Sequence, residues 1–324
     1  MRGSVAFTVL SVALAASCAF AAEAPPLPAE IAWAYPTAPE KTPFLKLPAD
    51  KVYHVEGSSL APTGRQLNES EDAADWTPAD HPAAPEVIFH GNPAAKLEPC
   101  AGCHEPNGTG FLGIPSLRGL PADYILEQVR EFRAGRRRSS VKDRPGTAAM
   151  VTMAEAVSDQ ELEAAARYYG SWKRNGRSIR LVETATVPAT HGNYYGWTEL
   201  DPGKPDEPIG SRIILVAEDF ERLWIGDPHA MEVAYVPPGS VSRGERLVRR
   251  GEQPCTTCHG ADLKGAGHVP PLAGRDPTYL ARALWDIKTG ARGGPAVALM
   301  QKPAGSLDAA AITDVSAYLA SLEP

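Results

Sequence analysis

Two stretches of this 324-residue chain, 98–108 (EPCAGCHEPNG) and 253–263 (QPCTTCHGADL), contain the phrase Cys-x-x-Cys-His. Three chemistries use such a cysteine pair. Two pairs together can give a structural zinc ion four thiolates, and one pair can act as a redox dithiol. The third attaches haem covalently: both thiols add to the vinyl groups as thioethers, and the histidine that follows becomes the proximal iron ligand. Only the third gives both histidines a task, and two residues between the sulfurs match the vinyl spacing along one haem edge. The expectation is two covalently bound haem c groups, tethered by Cys100, Cys103, Cys255 and Cys258, with His104 and His259 on the irons. Zinc and dithiol chemistry are the alternatives.

The rest of the cysteine usage fits. Residues 1–21 combine Arg2, an apolar run from Val5 to Ala16 and the small-x-small pattern Ala19-Phe20-Ala21. That is a secretory signal peptide cut after Ala21, with an uncleaved anchor or lipid attachment at Cys18 as alternatives. Cleavage removes Cys18 and leaves four cysteines, all in the two motifs, in a chain expected in the periplasm. No later run approaches the ~18 apolar residues that a membrane span needs. Net charge is −7 and the isoelectric point is near 5.7, which argues against a general nucleic-acid binder.

Elements that could position two haems recur as an internal repeat. A shift of 155 residues carries Cys100 onto Cys255, Pro115 onto Pro270, Gly119 onto Gly274 and Tyr124 onto Tyr279. It also carries ADYILEQVREFRAG (122–135) onto PTYLARALWDIKTG (277–290), two helices by their apolar spacing: Ile125, Val129 and Phe132 against Leu280, Leu284 and Ile287. Asp276-Pro277 reads as N-cap and first helical residue. Beyond these helices the shift falls to 150, and Met150 lands on Met300 and Tyr168 on Tyr318. The following helices open on a capping box at Ser158–Glu161 and on Asp308. Ser240–Val248 should form the first helix of the second unit.

Met150 and Met300 are therefore the expected second iron ligands, giving Met/His coordination, which raises the reduction potential. Met153 is the rival for the first iron, as are His90 and His191; His268 is the rival for the second. The carbonyl near Pro115 or Pro270 can accept the Nδ1 proton of the histidine eleven residues earlier, leaving Nε2 for iron; a plain loop proline is the other reading.

Both halves resemble class I cytochrome c domains, through CAGCH with 114–135 and 150–169, and CTTCH with 269–290 and 299–322. The arrangement is similar to periplasmic two-haem cytochromes of the c-four type and to cytochrome subunits of periplasmic dehydrogenases. The resemblance implies a mainly α fold of two tandem cytochrome c domains, with three to five helices around each haem, Met/His ligation and single-electron transfer without substrate chemistry. It implies redox partners: a donor dehydrogenase and a downstream cytochrome or oxidase. A two-haem peroxidase is the enzymatic alternative. The expected organisation is a signal peptide (1–21), a Pro/Ala-rich extension (22–84), domain 1 (85–172), a connector (173–237) and domain 2 (238–324).

The extension reads as extended chain, with Trp33, Tyr35, Phe44 and Trp76 available to pack onto the body. The connector has strand-like runs at 178–187, 212–223 and 231–239, read as a small antiparallel ribbon. A basic run, Arg133, Arg136, Arg137, Arg138, Lys142 and Arg144, is expected to face haem propionates or an acidic partner, or else to be a solvated loop.

Overall fold

The protein is described here by a computed structural model covering residues 27–38, 46–173 and 178–324. The expected signal peptide (1–21) with Cys18, and Phe44, lie outside the described residues.

The extension is more structured than its composition implies. A short helix α1 (Ala29–Ala32) follows Pro28, and α2 (Gly64–Glu69) opens on a Thr63–Gln66 capping box. Ile31, Ala34 and Tyr35 are buried against Ala281 and Ile312 of the second half. Trp76 is buried with Leu47, Tyr53, Val55 and Ile225, and its Nε1 donates to the Ile225 carbonyl at 2.6 Å. The expected packing of Trp33, Tyr35 and Trp76 is what the structure shows.

The first helical unit contains α3 (Glu86–Phe89), α4 (Ala101–His104), α5 (Ala122–Arg133), α6 (Pro145–Ala156) and α7 (Asp159–Ser171). The Ser158 side chain accepts from Glu161 N, and the Glu161 carboxylate accepts from Ser158 N, completing the capping box; such a cap is worth about 1 kcal/mol. Helix α3 has a single turn, and the extension fills the space beside it. His81 sits against the rings of Phe89, Tyr168 and Trp172 at 5.6, 5.9 and 6.1 Å, with Asp75 3.0 Å from Nε2.

The connector holds β1 (Ile179–Glu183), β2 (Thr186–Val187), β3 (Thr190–Gly192), β4 (Thr198–Leu200), β5 (Glu207–Pro208), β6 (Ile214–Ala217), α8 (Phe220–Trp224) and β7 (Glu232–Val236). The expected antiparallel ribbon is corrected in two ways. Strand β7 lies at the centre of a mixed sheet, antiparallel to β6 and parallel to β1. The end of the run at 212–223 is helical, because Asp219 caps α8 by accepting from Arg222 N. Parallel pairing needs a long crossover, which the small β2–β5 and β3–β4 pairs occupy.

The second unit contains α9 (Ser240–Arg250), α10 (Thr256–His259), α11 (Pro277–Lys288), α12 (Ala298–Gly305) and α13 (Ala309–Ser321). Asp276 and Asp308 cap α11 and α13 as expected. Helices α9 and α13 cross at Gly244, where any Cβ would overlap the Asp314 carbonyl. Arg243 grips the Asp314 carboxylate with two donors, each at 2.8 Å.

Candidate haem sites

Each Cys-x-x-Cys-His phrase folds into one helical turn. His104 N donates to the Cys100 carbonyl and His259 N to the Cys255 carbonyl, both at 3.0 Å. The turn places the two thiols of a pair on one side, the first half-buried and the second exposed in both halves. None of the four is in a disulfide. A redox dithiol needs a depressed thiol pKa, but burial pushes the Cys100 thiol up to about 12 and Cys255 up to about 11. Among the described residues no three His, Cys, Asp or Glu side chains gather into a metal cluster, so the two pairs do not form a four-thiolate zinc site.

Both histidines are buried, and each ring meets one backbone acceptor. His104 Nδ1 lies 3.0 Å from the Pro115 carbonyl, and His259 Nδ1 lies 2.8 Å from the Pro270 carbonyl. Burial lowers both pKa values, His104 to about 4. Each imidazole is therefore neutral at pH 7, donates its Nδ1 proton to proline and keeps an Nε2 lone pair for a metal. The loop that returns each carbonyl turns at Gly110 or Gly265, with φ +66° and +89°. Each accommodates a neighbouring carbonyl where a Cβ would stand.

The methionines separate. Met153 packs against the core of the first domain, whereas Met150, one turn earlier on α6, is half-buried outside that core. Met300 is half-buried in the first turn of α12, beside Ile287 and Val297. The rival histidines have other neighbours: His90 lies 2.8 Å from Asp72, His191 lies 3.1 Å from Asp201, and exposed His268 lies 3.6 Å from Asp123. Two neutral imidazoles, two thiol pairs on matching turns and two half-buried thioethers suit a pair of haems.

The cytochrome c profile matches residues 91–171 and 241–323, half of the chain. The chain belongs to the cytochrome c family. This cytochrome carries two covalently bound haem c groups and is a two-haem electron-transfer protein built from tandem cytochrome c domains. It is 26% identical over 230 residues to the thiosulfate dehydrogenase electron acceptor of Thiomonas intermedia, covering 68% of this chain and 77% of that one. Similarity to cytochrome c4 of Pseudomonas aeruginosa is 34% over 86 residues, 26% of this chain and 41% of the relative. Among solved structures it resembles thiosulfate dehydrogenase TsdBA of Marichromatium purpuratum, with 25% identity and a TM-score of 0.48. That match covers 73% of this cytochrome but 39% of the other chain. Among the described residues no helix is long and apolar enough to cross a membrane.

The two halves differ in cover. In the first, the loop after the histidine is buried under the connector: Phe111 and Leu112 pack against Ala217 and Leu223, and Leu112 N donates to Glu232 Oε1 at 2.6 Å. In the second, Asp262, Lys264 and Ala266–His268 are exposed.

Glu232 is 3% exposed. Burial, aided by Asp276 and Glu105, holds its carboxyl well above the usual carboxylate range, against the opposing pull of the Leu112 hydrogen bond. A carboxyl whose folded pKa is raised stabilises the fold fully below its unfolded value, near 4.5, and loses that contribution as pH rises through the folded value. Glu232→Gln keeps an acceptor for Leu112 and never ionises. Thermal melts should therefore show a shallower loss of stability for this variant than for wild type from about pH 5 to about pH 8. Parallel slopes would refute that role.

Sequence reading missed two features. His81 gave no local signal, because its aromatic partners are distant in sequence. The fate of the basic run was also open. Arg133 binds Asp159 and the carbonyls of Ala154 and Val157, Arg136 binds Glu131, and Arg144 reaches the Gly196 carbonyl. Much of the run thus has partners within the chain, while Arg133, Arg136, Arg138 and Lys142 stay exposed. Arg137 Nη2 donates to Tyr279 Oη of the other repeat at 3.4 Å.

Proposed function

We propose that this cytochrome is a periplasmic relay that takes single electrons from a dehydrogenase and passes them to a downstream cytochrome or oxidase. In this reading residues 1–21 direct export and are removed. Cys100 and Cys103 tether one haem, Cys255 and Cys258 the other. His104 with Met150, and His259 with Met300, would hold the two irons. The organisation is an extension (22–84), domain 1 (85–172), connector (173–237) and domain 2 (238–324).

Bound haem c supplies the one-electron iron couple. The chain's part is to fix each imidazole tautomer through the Pro115 and Pro270 carbonyls, to offer a thioether that would serve as the second iron ligand, and to hold the two domains together. The observation that carries the reading is the repeated buried His–proline contact, at 3.0 and 2.8 Å, beside a doubled thiol pair. An iron held by two protein ligands would have no place for substrate, which favours a carrier over a peroxidase. The relatives named as thiosulfate dehydrogenase electron acceptors favour a dehydrogenase of that kind as donor.

Stopped-flow mixing of the exported holoprotein with a thiosulfate dehydrogenase and thiosulfate tests the donor. Reduction of both haems within the dehydrogenase's turnover time is expected, and no reduction beyond the enzyme-free control would reject it. A high-spin oxidised spectrum, or carbon monoxide binding by the reduced protein, would overturn the carrier assignment in favour of an enzyme.

A further inference from the structure

The loop that offers the Pro115 carbonyl to His104 is held from outside its own domain. Arg282, on α11 of domain 2, is 6% exposed. Its Nη2 donates to the Gly113 carbonyl, and its Nη1 donates to the Ala34 carbonyl of the extension at 3.0 Å. Arg275 is also buried; its Nη1 donates to the Ser116 carbonyl and its Nε to the Pro271 carbonyl at 3.3 Å. Two guanidinium groups of domain 2 thus grip the backbone on either side of Pro115. Leu112 N, one residue before Gly113, is tied to Glu232 on β7.

Gly113 is needed for this approach. Its φ is +86°, and a Cβ there would stand 2.8 Å from Arg282 Nη2 and 3.1 Å from Thr278 Oγ1. Glycine permits both the left-handed backbone and the close contact.

The repeat loses its symmetry at these positions. The shift of 155 carries Gly113 onto His268 and Ser116 onto Pro271, and it sets Leu120 and Glu127 where domain 2 has Arg275 and Arg282. Domain 1 therefore has no arginine at either position to return the grip. The loop before Pro270 is exposed at Ala266–His268 and closes on itself, Ala266 and Val269 exchanging backbone hydrogen bonds.

A carbonyl that accepts the Nδ1 proton of an iron-bound imidazole makes that ligand more basic. A more basic ligand favours ferric iron and lowers the potential. The carbonyl does this only while it is held in place. Arg282 serves two acceptors at once through its planar fork, which a lysine ammonium cannot reproduce.

We propose that Arg282, supported by Arg275, is a positioning residue for the first haem: domain 2 holds the carbonyl that orients His104, so the potential of haem 1 depends on domain docking while that of haem 2 does not. This rests on the two-haem reading. Arg282 acts through the backbone at Gly113, with no contact to haem or iron required.

The test uses full-length exported holoprotein. Arg282→Lys keeps the charge and loses the fork; Gly113→Ala keeps both arginines and obstructs their approach. Spectroelectrochemical titration reads the two couples, assigned from the Cys255→Ala/Cys258→Ala protein, which keeps only haem 1. Each variant should raise the potential of haem 1 by about tenfold in its reduction equilibrium, ~59 mV for a one-electron couple, and leave haem 2 in place. If Arg282 acted only by its charge, Arg282→Lys would move neither couple. If it acted only on stability, the melting temperature would fall with haem 1 unmoved. Either result rejects the proposal, as does a fall in the haem 1 potential or an equal shift of both haems.

Wild-type protein gives a second test that does not depend on any variant folding. In NMR spectra of the reduced, diamagnetic protein, the His104 Nδ1 proton should exchange with solvent about tenfold more slowly than that of His259, because its loop opens less often. Equal rates, or faster exchange at His104, would overturn the proposal. Failure of the two-haem reading would appear separately, as an intact mass lacking two covalent haems.

Discussion

Replacing Cys100 and Cys103 together by alanine should yield an exported protein with one covalent haem instead of two. Intact mass and haem absorbance per chain measure this directly, and the Cys255→Ala/Cys258→Ala pair should do the same from the other side. The four thiols are the only cysteines beyond Cys18, so no other sulfur can take over the attachment. The domain that loses its haem also loses a large part of its apolar interior, and its helical signal and melting transition should fall with it. Domain 2 should survive loss of haem 1 because it has its own helix crossing, with Gly244 set against Asp314 and Arg243 clamping that residue. Retention of two covalent haems in either double variant would reject the assigned attachment sites.

The second large effect is expected at the proposed thioether ligands. Met150→His or Met300→His should lower the potential of its own haem by on the order of 100–300 mV, a fraction of the ~0.8 V that axial ligation spans. Nitrogen stabilises ferric iron relative to the thioether, which accounts for the direction. Each variant should also lose about half of the weak far-red absorption that marks oxidised sulfur-ligated haem. Met153→Leu is the control: its side chain already packs in the core, so both potentials should hold while stability falls by ~1 kcal/mol or less. If Met153→Leu moved the potential and Met150→His did not, the first axial ligand would be Met153.

Much of the chemistry was legible because it is local. Cys-x-x-Cys-His places two thiols and an imidazole on a single turn whatever surrounds it. The proline eleven residues on reads as a carbonyl acceptor for the same reason: the intervening loop is short, and Gly110 and Gly265 provide its bend. Caps such as Ser158–Glu161 and Asp276 also act within one helical turn. Repetition strengthened each signal, because two copies with one spacing leave few registers to choose from.

The parts that could not be read depend on partners far away in the chain. The run at 231–239 looks like any apolar strand, and nothing within it says that it lies parallel to β1 and antiparallel to β6. His81 reads as a loop histidine until Phe89, Tyr168 and Trp172 surround it. Arg137 reads as one member of a basic run until Tyr279, from the other repeat, lies opposite it. By itself the sequence determined the haem attachment chemistry and the helices that present it, since those follow from covalent spacing and short-range hydrogen bonds. Tertiary structure alone decided how the two domains face each other, which arginines are buried between them and which haem loop is covered, since burial and charge pairing are set by what folding brings alongside.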